Sequence, residues 1–250
     1  MILVRDAADG LETFMVRRHA QSPVAPSAYV FPGGTVRADD ADVDVPDAAA
    51  LADRLTARSD TSIPAAQAAA FYVAAVRELF EEAGVLCVRD ASAALLAVDS
   101  ADQALQERLA ATRLALQARE LSLARVLADW SWQPAFDLLV PFSHWVTPTL
   151  LAARFDTWFF VAAMPPGQAA LHDTIETSAG VWLRPSEVLD GDYHTVYATA
   201  QHVRRLSPFA TVASLLAFSA VKPILRTQPD VTEAGDGLSV RLAPHLVDAW

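Results

Sequence analysis

Cysteine is almost missing from this 250-residue chain. Cys87 stands alone, which excludes an internal disulfide and any Cys-x-x-Cys zinc or redox pair. Positive charge is also scarce: 19 Lys and Arg stand against 30 Asp and Glu, for a net charge of −11. That balance gives no general attraction to DNA, RNA or anionic membranes, so a small anionic substrate would need a local basic patch or a metal ion. No apolar run is long enough to span a bilayer, and Met1-Ile2-Leu3-Val4-Arg5-Asp6 is too short in apolar residues for a signal peptide. A cytoplasmic location is the resulting expectation. The chain also lacks a Gly-x-Ser-x-Gly elbow, a Gly-Lys-Ser/Thr phosphate loop, a Gly-x-Gly-x-x-Gly turn and a His-Glu-x-x-His pair. Serine hydrolase, P-loop, Rossmann and zincin chemistry therefore have no support. The six histidines are scattered, with His144 and His172 as candidate polar contacts.

What is present is a folded composition, 53% hydrophobic and 20% charged, at a length that can bury a sizeable core. The local feature that demands a reason is Arg77-Glu78-Leu79-Phe80-Glu81-Glu82-Ala83-Gly84-Val85. The pattern predicts one helix over 65–83, with Pro64 at its start and Gly84 ending it in a left-handed cap. Glu78, Glu81 and Glu82 then fall at i, i+3 and i+4 on one face, with Val73, Val76, Phe80 and Ala83 on the opposite, core-facing side. Acids in a last helical turn meet the negative end of the helix dipole, at a cost of about 0.3–1 kcal/mol. Like charges at i,i+4 add roughly 0.2–0.5 kcal/mol per pair. A hard divalent cation would turn this penalty into an asset; a solvated acidic face is the alternative.

Upstream, Tyr29-Val30-Phe31-Pro32-Gly33-Gly34 is an apolar run entering a Pro-Gly-Gly turn. Together the two stretches resemble the signature of the Nudix hydrolases, in which a Gly-rich turn leads into a helix bearing Arg-Glu-x-x-Glu-Glu-x-Gly and an aliphatic residue. Arg77, Glu78, Glu81, Glu82, Gly84 and Val85 match its second half and Gly34 its opening glycine; Asp40 takes the place of the acid five residues further on. A long segment then intervenes, as it does in the branch of coenzyme A diphosphatases of peroxisomes and mitochondria. Ser143-His144-Trp145-Val146-Thr147-Pro148 and Arg154-Phe155-Asp156-Thr157-Trp158-Phe159-Phe160 resemble that branch as well.

The resemblance implies the α/β class: a Nudix α/β/α sandwich with a mixed central sheet, forming one elaborated domain over 1–250. Residues 41–68 would be an insertion within the signature and 91–132 a helical insertion that covers the cleft or forms a homodimer contact. It implies Mg2+ or Mn2+ held by Glu78, Glu81, Glu82 and the carbonyl of Gly34, with Arg77 orienting the carboxylates. Glu176, in the loop before Gly180-Val181-Trp182-Leu183, is the residue chosen for one further acid. Glu78, Glu81 and Glu176 all stand as candidate bases. The substrate would be a nucleoside diphosphate linked to another group, with coenzyme A or acyl-CoA in view; a Nudix-fold nucleotide-binding or regulatory module is the non-catalytic alternative. Gly33, Arg18 and Arg154 are candidate substrate contacts. For Arg18 the competing role is a solvated strand-end charge, and for Arg154 it is an ion pair with Asp156. Another coenzyme A-directed branch carries two arginines before Phe-Pro-Gly-Gly. Arg18 aligns with the first, but Pro23 replaces the second and Ser27 a glycine.

The remaining patterns predict paired strands over 1–4 and 12–17, and a strand at 85–88. A short helix is expected over 47–58, one or two amphipathic helices over 101–130, and strands within 136–147 and 157–164. Further helices are expected at 185–189 and over 195–219, where Pro208 allows a break, and a late hairpin strand over 238–242.

Overall fold

The computed structural model describes residues 1–99, 101–151, 153–173, 175–234, 237–247 and 249, with side chains omitted at 233–234 and 237–238. In chain order the strands are β1 (Ile2–Ala7), β2 (Gly10–Arg18), β3 (Tyr29–Val30), β4 (Val88–Arg89), β5 (Gln133–Pro134), β6 (Val140–Val146), β7 (Asp156–Ala163), β8 (Thr177–Leu183), β9 (Arg226–Thr227), β10 (Asp230–Ala234) and β11 (Gly237–Arg241). The helices are α1 (Ala48–Thr56), α2 (Ala65–Ala83), α3 (Gln103–Gln117), α4 (Leu123–Trp130), α5 (Pro185–Asp190), α6 (Tyr197–Leu206) and α7 (Val212–Val221).

The central sheet runs β3-β2-β1-β7-β6-β9, with β8 also on β2. It is mixed: β1 with β7 and β6 with β9 are parallel, and the other pairings are antiparallel. Side chains alternate across the pleat, and this divides the core in two. Leu3, Phe14, Val16, Phe160 and Ala162 face one cluster, which α1 to α4 complete with Leu51, Leu55, Tyr72, Leu79, Leu116 and Val126. Ile2, Val4, Met15, Phe142 and Val161 face the other, closed by Val188, Val203, Leu206 and Leu215 of α5 to α7. The fold is therefore an α/β/α sandwich.

α2 occupies the expected span, with Pro64 at its N-cap and Gly84 at φ +67° as its left-handed terminus. α1 begins after Asp47, whose carboxylate accepts from Ala50 N–H, and the segment over 101–130 resolves into two helices capped by Asp102 and Ser122. Pro208 lies in the break between α6 and α7, and β11 closes a hairpin on β10. One expectation is corrected: the strand at 85–88 shrinks to Val88–Arg89. Leu86 is buried without a neighbouring strand, and the Gln168 amide takes that strand's place. Gln168 Oε1 accepts from Leu86 N–H at 2.9 Å, and its Nε2 donates to Leu86 and Leu96 carbonyls at 2.9 Å each. A side chain about 80 positions away in sequence thus satisfies backbone groups that local pattern assigns to a ladder.

Candidate active site: buried carboxylates locked by two arginines

The last two turns of α2 meet the turn after β3 at the sheet's edge. Glu78, Glu81 and Glu82 are all nearly buried, at 7%, 3% and 4% exposed, which removes the solvated-face reading. Val73, Val76, Phe80 and Ala83 are buried as expected. Arg77, fully buried, organises the acids. Its Nε and Nη2 form a fork on Asp40 at 2.7 and 2.9 Å, Nη1 donates to Glu78 at 2.6 Å, and Nη2 also reaches the Thr35 carbonyl at 2.8 Å. Burial alone would lower the Arg77 pKa, but the bonds to Asp40 and Glu78 outweigh it and hold the guanidinium more firmly protonated than usual. Asp40, buried at 2%, is thus an anchor for Arg77.

Gly34 is required by close approach. A Cβ there would lie 2.5 Å from Glu78 Oε1 and 2.7 Å from Oε2, so only glycine lets the main chain lie against this carboxylate. Gly33 donates its N–H to Glu82 at 2.7 Å. Its role in the structure is to hold a carboxylate, and nothing observed gives it a substrate contact.

The cluster crowds carboxyl groups: Asp40, Glu78 and Glu81 pair with the guanidinium groups of Arg77 and Arg37, while Glu82 feels the Met1 ammonium and Arg113 without a direct ion pair. Burial pushes the Glu82 pKa up to about 8, against the Gly33 hydrogen bond, and the nearby charges of Glu78, Glu176 and Asp173 push the same way. Glu81 is also raised, by burial first, with Arg77 and Arg37 opposing.

Sequence reasoning missed Arg37. Its Nη1 and Nη2 clamp the two Glu81 oxygens at 2.8 and 2.6 Å, and Nη1 also donates to the Leu116 carbonyl at the end of α3 at 3.2 Å. Neither local pattern nor the signature distinguishes this arginine, because its partners lie 44 and 79 positions away. Asp173 was also passed over in favour of Glu176. The Asp173 carboxylate is buried and accepts from the N–H groups of Ile175 and Glu176 at 2.7 and 2.6 Å and from the Thr177 hydroxyl at 2.9 Å. It shapes the loop; Glu176 itself is exposed, with its charge felt at Glu82.

The outlying candidates fare differently. Arg18 is half-buried and donates from Nε to the Val24 carbonyl at 3.0 Å, tying down the Pro-rich loop. In that loop Ser27 adopts φ +59°, the conformation the missing glycine would have taken freely. Arg154 is exposed, and its expected pairing with Asp156 does not form. Asp156 instead accepts from His144 Nε2 at 2.6 Å, because His144 is buried and stacked on Trp158 across the strand pair and brings a polar edge to that carboxylate. The structure does not bring Arg154 to the carboxylate cluster by any contact.

The inserted helix α3 grips the end of α2: Arg113 Nε and Gln117 Nε2 both donate to the Glu81 carbonyl, at 2.9 and 2.7 Å. That carbonyl is one of those a helix end leaves unmet. Beyond this contact lies a cleft of about 520 Å3 walled by Phe80, Gly84, Leu109, Arg113 and Leu171.

The donor set fits a hard divalent cation: three buried carboxyl groups crowded at one helix end beside an exposed glycine turn. Among the described residues no three acidic, His or Cys groups converge ready for an ion, and the arginine forks account for this.

Comparison with known proteins bears on the family and the fold. The profile of the family described as NUDT19 Nudix domain matches residues 44–197, more than half of the chain. The "Acyl-coenzyme A diphosphatase NUDT19" of Xenopus laevis is 26% identical over 91% of this chain and 68% of its own length. The human protein of that name is 27% identical, over 95% and 72%. The crystal structure of a NUDIX hydrolase from Alicyclobacillus acidocaldarius superposes with a TM-score of 0.62 over 86% of this chain and 92% of that one, at 23% identity, which speaks to the fold.

Proposed function

The chain belongs to the NUDT19 Nudix domain family, and on that premise we propose that it is a metal-dependent pyrophosphohydrolase that cleaves the diphosphate of coenzyme A or its acyl thioesters. The observation that carries the chemistry is the burial of Glu78, Glu81 and Glu82 together against Gly33 and Gly34. The substrate class rests on the relatives named acyl-coenzyme A diphosphatase.

Glu78, Glu82 and the Gly34 carbonyl present the oxygens that would hold Mg2+ or Mn2+, with Glu81 beside them. Such an ion supplies charge neutralisation and Lewis acidity toward phosphoryl oxygens. The protein's part is preorganisation. Arg77 fixes Glu78 from one side while the Gly34 backbone confines it from the other, and Gly33 fixes Glu82, so the charged groups need little rearrangement when substrate arrives. Glu82, whose pKa burial pushes up to about 8, would hold such an ion as the carboxylate. Glu176, exposed on a loop set by Asp173 and with its charge felt at Glu82, would accept a proton from the attacking water, with Glu78 and Glu81 as the other candidate bases.

The test is a panel of coenzyme A, an acyl-CoA, NADH, ADP-ribose and nucleoside triphosphates with Mg2+ or Mn2+, followed by mass spectrometry. Cleavage of the coenzyme A compounds to two phosphate monoesters is expected. Turnover of ADP-ribose alone would remove the substrate class and keep the reaction; no turnover of any member would remove the reaction.

A further inference from the structure

The inference concerns Arg37 and rests on the metal-dependent reading above. Both Glu81 oxygens are occupied by one guanidinium, at 2.8 and 2.6 Å, in the paired geometry that makes arginine–carboxylate contacts strong and directional. The pair is 12% and 4% exposed at its side chains, so solvent screens it little. Arg37 is itself held. Its N–H donates to Asp40 at 2.7 Å, and Asp40 carries the Arg77 fork, so one carboxylate ties the backbone of Arg37 to the guanidinium of Arg77. From the far side the Leu116 carbonyl of α3 accepts from Arg37 Nη1, and Arg113 and Gln117 of the same helix hold the Glu81 carbonyl. Glu81 is thereby fixed at its side chain and its backbone by groups that include the inserted helix. Glu78 keeps Oε2 clear of Arg77, and Glu82 keeps Oε1 clear of Gly33, but Glu81 has no oxygen outside an arginine contact.

We propose that Arg37, which holds both Glu81 oxygens where Arg77 Nη1 reaches one at 3.4 Å, is a resident counter-cation of Glu81 and competes with divalent metal for that carboxylate, with α3 positioning it to do so. Metal binding through Glu81 then requires breaking the Arg37 fork, and the affinity of the cradle is set below what its acids alone would give.

The experiment is Mn2+ binding to the full chain, measured by calorimetry and by the electron paramagnetic resonance signal of free Mn2+, for wild type, R37Q, E81Q and the double variant. Circular dichroism in EDTA checks that each is folded. Removing the clamp is expected to tighten Mn2+ binding about tenfold, the order expected for a buried charge-assisted pair. That gain should vanish when Glu81 is also changed, so E81Q and the double variant should bind alike. Equal or weaker binding by R37Q would overturn the proposal, as would a gain of the same size in the E81Q background, which would mark a general field effect. Should R37Q fail to fold, R37K keeps the charge and loses the fork. A gain confined to the Glu81 background supports the proposal, and its absence overturns it. Absence of Mn2+ binding in every variant would instead remove the metal-dependent reading on which the inference stands.

Discussion

At the scale of single residues, the site is defined by what cannot be replaced. Gly34→Ala places a methyl group 2.5–2.7 Å from the Glu78 carboxylate oxygens, so Glu78 must move or the turn must open. Turnover should fall by about 100-fold or more, the scale of a misplaced catalytic group, while the circular dichroism spectrum stays that of wild type. Asp40→Asn keeps the shape and removes the charge that Arg77 grips through two nitrogens. Arg77 keeps its 2.6 Å bond to Glu78, so the loss is that of the charged fork alone, about 1.5–3 kcal/mol, and urea denaturation should show a loss of that order. Glu78, Glu81 and Glu82 were legible in the sequence because the Pro-Gly-Gly turn upstream and the Arg-Glu-x-x-Glu-Glu-x-Gly spacing together resemble the Nudix signature; the three acids alone would read as a solvated helix face. Arg37 was not, because a lone arginine in an acidic loop carries no local signal and acquires meaning only when the fold brings α2 and α3 to it.

Among the elements, α2 is the part most fully specified by its own sequence. Pro64, the apolar spacing and Gly84 fixed both ends, and the structure changes neither. Gly84→Ala tests that end: a side chain at φ +67° is strained, and its Cβ would also sit 3.1 Å from Arg113 Nη1. The expected destabilisation is about 1–2 kcal/mol, read as a lower midpoint in thermal unfolding. α3 shows the opposite case. Its amphipathic pattern identified a helix, and a cleft cover or homodimer contact was the role expected of it. The structure adds that its last turns bond to Glu81 and Arg37, a role written in long-range contacts. The segment at 85–88 failed as a strand for a related reason, because its hydrogen bonds go to the Gln168 side chain.

At the scale of the whole molecule, individual strands and helices were legible from their periodicity and the sandwich from the Nudix resemblance, whereas the parallel pairing of β1 with β7 and β6 with β9 was not, since register between distant strands leaves no local trace. The second core holds a feature that governs acid stability. His202, fully buried, takes part in a 2.6 Å contact with the Ser143 hydroxyl and one of 2.7 Å with the Ala198 carbonyl, and burial first of all pushes its pKa down to about 3. In the unfolded chain it takes up a proton near pH 6.5. Between those values the unfolded state binds more protons, so the contribution of His202 is complete above pH 6.5 and is lost as pH falls toward 3. The stability advantage of wild type over His202→Phe in urea titrations should therefore shrink steadily from pH 7 to pH 4. The central claim, that this buried cradle breaks a diphosphate, is tested most directly by comparing wild type and Glu82→Gln on an acyl-CoA with Mg2+, with products separated by mass spectrometry. Wild type should release two phosphate monoesters and Glu82→Gln should retain less than about 1% of that rate; equal cleavage by both, or none by wild type, would contradict it.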